Sequence, residues 1–208
     1  YGSAHNGDKA LAIQTIKNAA YRIVEGPDFT INLVKDDRDG SRAFLMTNNL
    51  DGKVSIGKDG EIPIPLGDNQ FTLSTECADK YAEDTETCAK AALRAVGYTT
   101  QDPNNLSFVD KAKYLEIRVV TDPANPNVGL RTSEFTMALP SESTLVYDET
   151  ADTFTALVDD DYGVYSAGDV FKPAEDGFYR LDGVLENVKL DGGWRVEVGL
   201  KNFETIFT

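Results

Sequence analysis

The sequence predicts an α+β fold, mainly β: an antiparallel β-sandwich or jelly-roll-like domain with an N-terminal helix and a second short helix near 86–96. Three observations predict it. Helical spacing of apolar residues is confined to one early segment and one Ala/Leu/Lys-rich stretch. Elsewhere apolar and polar residues alternate over short runs, the period of a half-buried strand. Turn signals from Gly, Pro, Asn and Asp punctuate those runs about every eight to twelve residues, which favours a sandwich or barrel over βαβ units.

The elements follow in order. Residues 1–7 are small and polar and read as a flexible start. Residues 8–25 then read as a helix: Ala12, Ile16, Ala19 and Ile23 form one stripe, Asn6 or Asp8 can cap its start, and Gly26-Pro27 stops it. From Asp28 the period becomes two. Phe29, Ile31 and Leu33 alternate with Thr30 and Asn32, and RAFLMT returns after the turn KDDRDGS. KVSIGKDGEIPIP reads as a hairpin turning at Lys58-Asp59-Gly60. Its second arm carries Pro63 and Pro65 two apart, which marks an edge strand, and NQFTLST adds one more strand.

Thr87–Val96 is helix-prone and stops at Gly97. Residues 98–112 read as loop, the best place for a boundary in an otherwise single β-rich domain spanning 1–208. KYLEIRVVT alternates again, with Leu115, Ile117 and Val119 on one face. SEFTMAL, STLVYD and TFTALVD follow, with turns at Pro140-Ser141 and 149–152. The last strands are VFKP, GFYRLDGVLENVKL and GWRVEVGLKNFETIF, joined through Asp176-Gly177 and Asp191-Gly192-Gly193.

A chain of 208 residues can bury a real core. Its net charge of −15 repels phosphate backbones and anionic membrane, so nucleic-acid binding through a basic face is not expected. No apolar run approaches the roughly 18 residues of a transmembrane helix. No basic-then-apolar leader follows Tyr1, so any targeting segment is expected to have been removed before it.

The only two cysteines, Cys77 and Cys88, bound the acidic stretch CADKYAEDTETC. Their spacing fits no zinc pattern, and the single His5 offers neither a metal partner nor a base for a thiol nucleophile. Free buried thiols remain open, but a disulfide fits best, closing an excursion with little core of its own. One continuous helix would hold the two about 16 Å apart, at about 1.5 Å per residue. A disulfide needs Cα atoms within about 7 Å, so the pairing requires a break, for which AEDTE supplies turn residues. A lasting disulfide implies an oxidising place, so the expected localisation is extracellular, cell-surface or virion.

Little here points to catalysis. One histidine nearly excludes a Ser-His-Asp or Cys-His device, and no GxSxG, phosphate loop or HExxH occurs. Hard-oxygen calcium candidates are the acidic turns DDRDG (Asp36, Asp37, Asp39) and DDDYG (Asp159, Asp160, Asp161), each also readable as a solvated turn. Tyr162 and Tyr165 are candidates for stacking on a sugar, whereas Trp194, alternating with Val196 and Val198, reads as core. No cofactor is expected.

In AGDVFKPAEDGFYRLDGVL, Phe171 and Pro173 precede Gly177, Tyr179 and Leu181. This stretch, about twenty of the 208 residues, is similar to a strand-turn-strand segment of C1q/TNF-like jelly rolls. The resemblance implies an antiparallel hairpin there. The function expected is that of a non-enzymatic structural subunit of an extracellular assembly, a virion shell or surface filament, with other copies or other subunits as partners. A helix ahead of a sheet also resembles a type IV pilin head, although this helix lacks the long apolar stem of that family unless it was cut away before Tyr1. The alternatives are a secreted monomeric binding or adhesion module for a glycan or host protein, and a secreted carboxylate-dependent glycoside hydrolase.

Overall fold

The computed structural model describes residues 8–66 and 85–196, with side chains of 85–89 excepted. In chain order the elements are α1 (Lys9–Ala19), β1 (Tyr21–Ile23), β2 (Phe29–Asp36), β3 (Arg42–Asn48), β4 (Val54–Gly57) and β5 (Ile64–Pro65). Then come α2 (Thr85–Ala95), β6 (Tyr98–Gln101), a 3-10 turn (Pro103–Asn105), α3 (Phe108–Leu115), β7 (Val119–Val120), β8 (Val128–Thr132) and β9 (Met137–Ser143). The last are β10 (Leu145–Asp148), β11 (Thr153–Ala156), β12 (Val170–Pro173), β13 (Phe178–Leu181) and β14 (Lys189–Gly193). The chain is mostly β, in two curled antiparallel sheets, and it divides into two compact units: Tyr1–Arg22 with Ser143–Thr208, and Ile23–Glu142.

In the first unit, Asp8 caps α1 by accepting from the Leu11 N–H at 2.8 Å. Of the expected stripe, Ala12 and Ile16 are buried, whereas Ala19 and Ile23 are exposed. The helix is shorter than the expected 8–25. Ala20 leaves helical geometry at ψ 50°, and the β-prone run Tyr21–Ile23 is already extended, so Gly26-Pro27 does not end the helix. β10 to β14 pair in sequence order as a meander, and α1 packs on β14 and β10, its two end strands. The hairpin read at 171–181 is present, pairing Phe171 with Leu181. Asp191-Gly192-Gly193 is not the expected turn but part of β14. α1 explains the glycine: a Cβ on Gly192 would stand 3.2 Å from Ile16, at a φ of +117°. Ile16, Phe154, Phe171, Tyr179 and Leu190 form this unit's core.

The second unit is built on the order β5-β4-β3-β2-β9-β8-β7. β2 pairs with β3 from Phe29↔Asn48 to Lys35↔Arg42. Its other edge is shared, Phe29–Thr30 with β9 and Leu33–Asp36 with β6. The sheet curls until the β4–β5 loop reaches the start of β7: Val120 N–H donates to the Glu61 carbonyl at 3.0 Å, and Gly60 N–H to the Arg118 carbonyl at 2.9 Å. β5 is an end strand, as its prolines predict. Leu66 N–H donates to Val54 O, so even-numbered amides face β4, and Pro63 and Pro65 leave no N–H on the outer side.

This sheet carries apolar clusters on both faces. Ile31, Leu33, Phe44 and Met46 pack with Tyr114 and Leu130, while Val34, Ala43 and Ile56 pack with Leu93 of α2 and Tyr98. Three expectations change here. Residues 98–112 are not a loop but hold β6, the 3-10 turn and the start of α3. KYLEIRVVT is not one strand: Ser107 caps α3, which runs to Leu115, and only Val119–Val120 is extended. Pro140 and Ser141 are not a turn but lie in β9, opposite Leu130 and Gly129. The Pro140 carbonyl still accepts from Val24 N–H at 3.0 Å. NQFTLST and Cys77 lie outside the described residues, as does the side chain of Cys88 on α2.

Candidate functional site: one aspartate cluster in each unit

In the second unit Asp36 closes β2 on the face of Val34, and its side chain is only 2 % exposed. Its Oδ1 accepts from the Arg38 N–H at 3.0 Å and Arg38 Nε at 2.9 Å. Its Oδ2 accepts from Arg38 Nη2 at 3.0 Å and Lys58 Nζ at 2.6 Å. Arg38 Nη2 also donates to the Tyr98 hydroxyl at 2.9 Å, and the guanidinium stands 5.3 Å from that ring's centroid. The Arg38 hydrogen bonds hold the Asp36 carboxyl far below the usual carboxylate range; burial opposes this, and Lys58 adds to it. Asp36 in turn pushes Arg38 and Lys58 up. Lys58 therefore stays an ammonium and is no nucleophile. The cluster ties together the end of β2, the turn after it, the loop after β4 and the start of β6.

In the first unit Asp152 sits in the β10–β11 turn at φ +54°, a conformation Asp tolerates better than most residues. Its Oδ1 accepts from the Tyr147 hydroxyl at 2.9 Å and from the Tyr179 hydroxyl. Its Oδ2 accepts from Lys9 Nζ. Lys9 Nζ lies 5.2 Å from the Trp194 ring centroid and 5.9 Å from that of Tyr179. Tyr179 is fully buried, edge-on to Phe154 at 4.9 Å. Burial pushes the Asp152 carboxyl up, but hydrogen bonds from Lys9, Tyr179 and Tyr147 outweigh it, and the net direction is down. Burial and the Asp152 contact push both phenols up, so they remain donors. The Lys9 and Asp152 side chains are 38 % and 31 % exposed, so water reaches this pair.

The turn carboxylates singled out in sequence each serve their own surroundings. Asp37 accepts from the Thr99 hydroxyl and Asp39 from Ser41 N–H, both at 2.8 Å. Asp159 accepts from Ala167 N–H at 2.8 Å, and Asp160 from Tyr162 and Val164 N–H at 3.1 Å. Asp161 pairs with Arg22 at 3.1 Å. Among the described residues no group of three or more His, Cys, Asp or Glu is placed to hold a metal ion.

Tyr162 is 90 % exposed, whereas Tyr165 packs edge-on against Phe171 at 5.2 Å. Trp194 packs on Tyr179 at 5.3 Å and joins the core cluster. A cavity of about 160 Å³ in the same unit is lined mainly by Ile16, Ala20, Leu145, Tyr165 and Leu190. Sequence reasoning missed Lys9, Tyr147 and Asp152 as one constellation; the only local signal is an aspartate closing the turn ETAD. Among the described residues no helix is long and apolar enough to cross a membrane. No known protein family and no curated protein matches this chain.

Proposed function

We propose that this chain is a non-enzymatic structural subunit of an extracellular assembly, built on jelly-roll-like packing and making contacts with further copies or other subunits. One observation carries the reading. α3 is a short helix fixed at both ends, by the Ser107 cap and by the buried Tyr114, yet its first two residues are apolar and outward. Phe108 is 85 % and Val109 61 % exposed. An apolar pair on a rigid element is a poor use of surface in a solitary acidic protein and a good one at a subunit contact. Ile62 and Ile64, just before and within the end strand β5, are also exposed. The buried carboxylate Asp36, by contrast, is saturated by its own unit.

The test is light scattering of the purified chain over a wide concentration range. Reversible self-association is expected, weakened in Phe108→Ser with circular dichroism unchanged. A monomer at every concentration overturns the subunit reading and leaves the adhesion module. That second reading has its own support in Tyr162, an exposed aromatic on a turn ordered by Asp160, the geometry for stacking on a sugar face. A glycan array on which Tyr162→Ala loses binding would favour it.

A further inference from the structure

The Lys9–Asp152 pair has the arrangement of an acyl-transfer site. We propose that Lys9 Nζ and Asp152 Cγ condense to an internal amide that fastens α1 to the β10–β11 turn. The two carboxylate oxygens are differentiated. Oδ1 takes two phenolic hydroxyls, from Tyr147 and Tyr179, and Oδ2 faces the Lys9 nitrogen. That division is what acyl transfer needs: one oxygen held where negative charge develops, the other free to leave.

The atoms balance without a co-reactant. The ammonium of Lys9 gives a proton to Oδ2, leaving an amine beside a carboxylic acid. The nitrogen lone pair attacks Cγ, and the C=Oδ1 electron pair moves onto Oδ1, held by the two hydroxyls. Nζ passes a second proton to Oδ2. The Cγ–Oδ2 bond breaks, water leaves, and the carbonyl re-forms as an amide. One C–N bond forms, one C–O bond breaks, and two opposite charges disappear.

Three features favour this at Lys9–Asp152 over Lys58–Asp36. Lys9 stands on the first turn of α1, a fixed helical base, whereas Lys58 lies in the loop after β4. The donors to Oδ1 are neutral phenols, whereas Asp36 is gripped through both oxygens by a guanidinium that stabilises the carboxylate itself. The pair is about one-third exposed, so the departing water has an exit. Condensation in bulk water is unfavourable, but fixed reactants reach effective molarities of about 10⁵–10⁸ M, which offsets this.

The test is intact-mass spectrometry of the folded full chain, denatured and thiol-reduced just before measurement. The expected mass falls short of the sequence mass by one water. Digestion should yield a branched peptide joining the Lys9 and Asp152 segments. Lys9→Arg, which keeps a cation at this position but cannot form the amide, should show the full mass, as should Asp152→Ala. Tyr147→Phe with Tyr179→Phe should slow the loss of water in freshly folded protein. The full sequence mass in wild-type protein after long incubation overturns the proposal. So does a water loss that persists in Lys9→Arg, which would place the condensation elsewhere.

Discussion

The two aspartate clusters set the same side chain in opposite company. Asp36 is held by two cations and shielded from water, while Asp152 is held by one cation and two phenols and lies partly open. The first arrangement fixes charge. A guanidinium fork across both oxygens leaves the carboxylate no reason to change state, and it knits four segments of the second unit. The second arrangement polarises one oxygen with neutral donors and leaves the other against the Lys9 ammonium. The two ion pairs therefore differ in the type of donor and in how the donors divide between the oxygens.

The sharpest separation comes from removing the locked carboxylate. Asp36→Asn leaves Lys58, 16 % exposed, facing a neutral amide, while Arg38, 64 % exposed, can turn to water, so the loss falls short of the about 3–5 kcal/mol of a fully buried pair. Urea unfolding followed by circular dichroism reads it. The pH dependence has a definite sign. The folded Asp36 carboxyl is depressed, so its contribution is complete above the ordinary unfolded carboxylate value of about 4. It is lost progressively as pH falls below that toward the folded value. Wild-type protein should therefore lose its advantage over Asp36→Asn in strongly acid solution. A constant gap between the two down to low pH would mean the charge is not what stabilises this cluster.

The open cluster should respond less. Tyr179→Phe removes a buried donor to Asp152 Oδ1, worth about 1–3 kcal/mol. Tyr147→Phe should cost less, because its hydroxyl is nearer solvent. The two should combine to less than their sum, since both serve Oδ1. Trp194 packs on Tyr179 and is the only tryptophan, so its fluorescence reports this unit's transition directly. A Tyr179→Phe loss as large as that of Asp36→Asn would erase the distinction drawn between lock and open pair.

Local sequence carried the strands whose partners are near. The alternation Phe29-Ile31-Leu33 places one face of β2 correctly, and the spacing of Pro63 and Pro65 places an end strand. It could not show that β2 buries its second face from Val34 on, because the cover there comes from Leu93 and Tyr98, far along the chain. For the same reason Asp36 looked like the first acid of a solvated turn. Lys58, 22 residues later, and Tyr98 make it a buried ion-pair centre. Lys9 and Asp152 are 143 residues apart, and no periodicity spans that distance. The acidic turns were readable as turns because Asp caps its own backbone locally.

The missed helix offers the smallest and most local test. Ser107 and Asp110 form a reciprocal cap, with Ser107 Oγ accepting from Asp110 N–H at 3.1 Å and donating to Asp110 Oδ2 at 2.8 Å. That signal was present in the sequence. The alternation of Leu115, Ile117 and Val119 outweighed it, because a run that short fits either period. Ser107→Ala should cost about 1 kcal/mol in urea unfolding. The second anchor of α3 is Tyr114, stacked 6.3 Å from Phe44 with its hydroxyl donating to the Val34 carbonyl at 2.8 Å. Burial pushes that phenol up to about 12. If the cap only starts the helix and Tyr114 holds it, Ser107→Ala lowers stability while the Tyr114 ionisation stays high in an absorbance titration. If that ionisation falls toward the ordinary phenol range, the cap is what keeps Tyr114 in the core, and the first turn, with Phe108 and Val109 on it, is positioned by one hydroxyl.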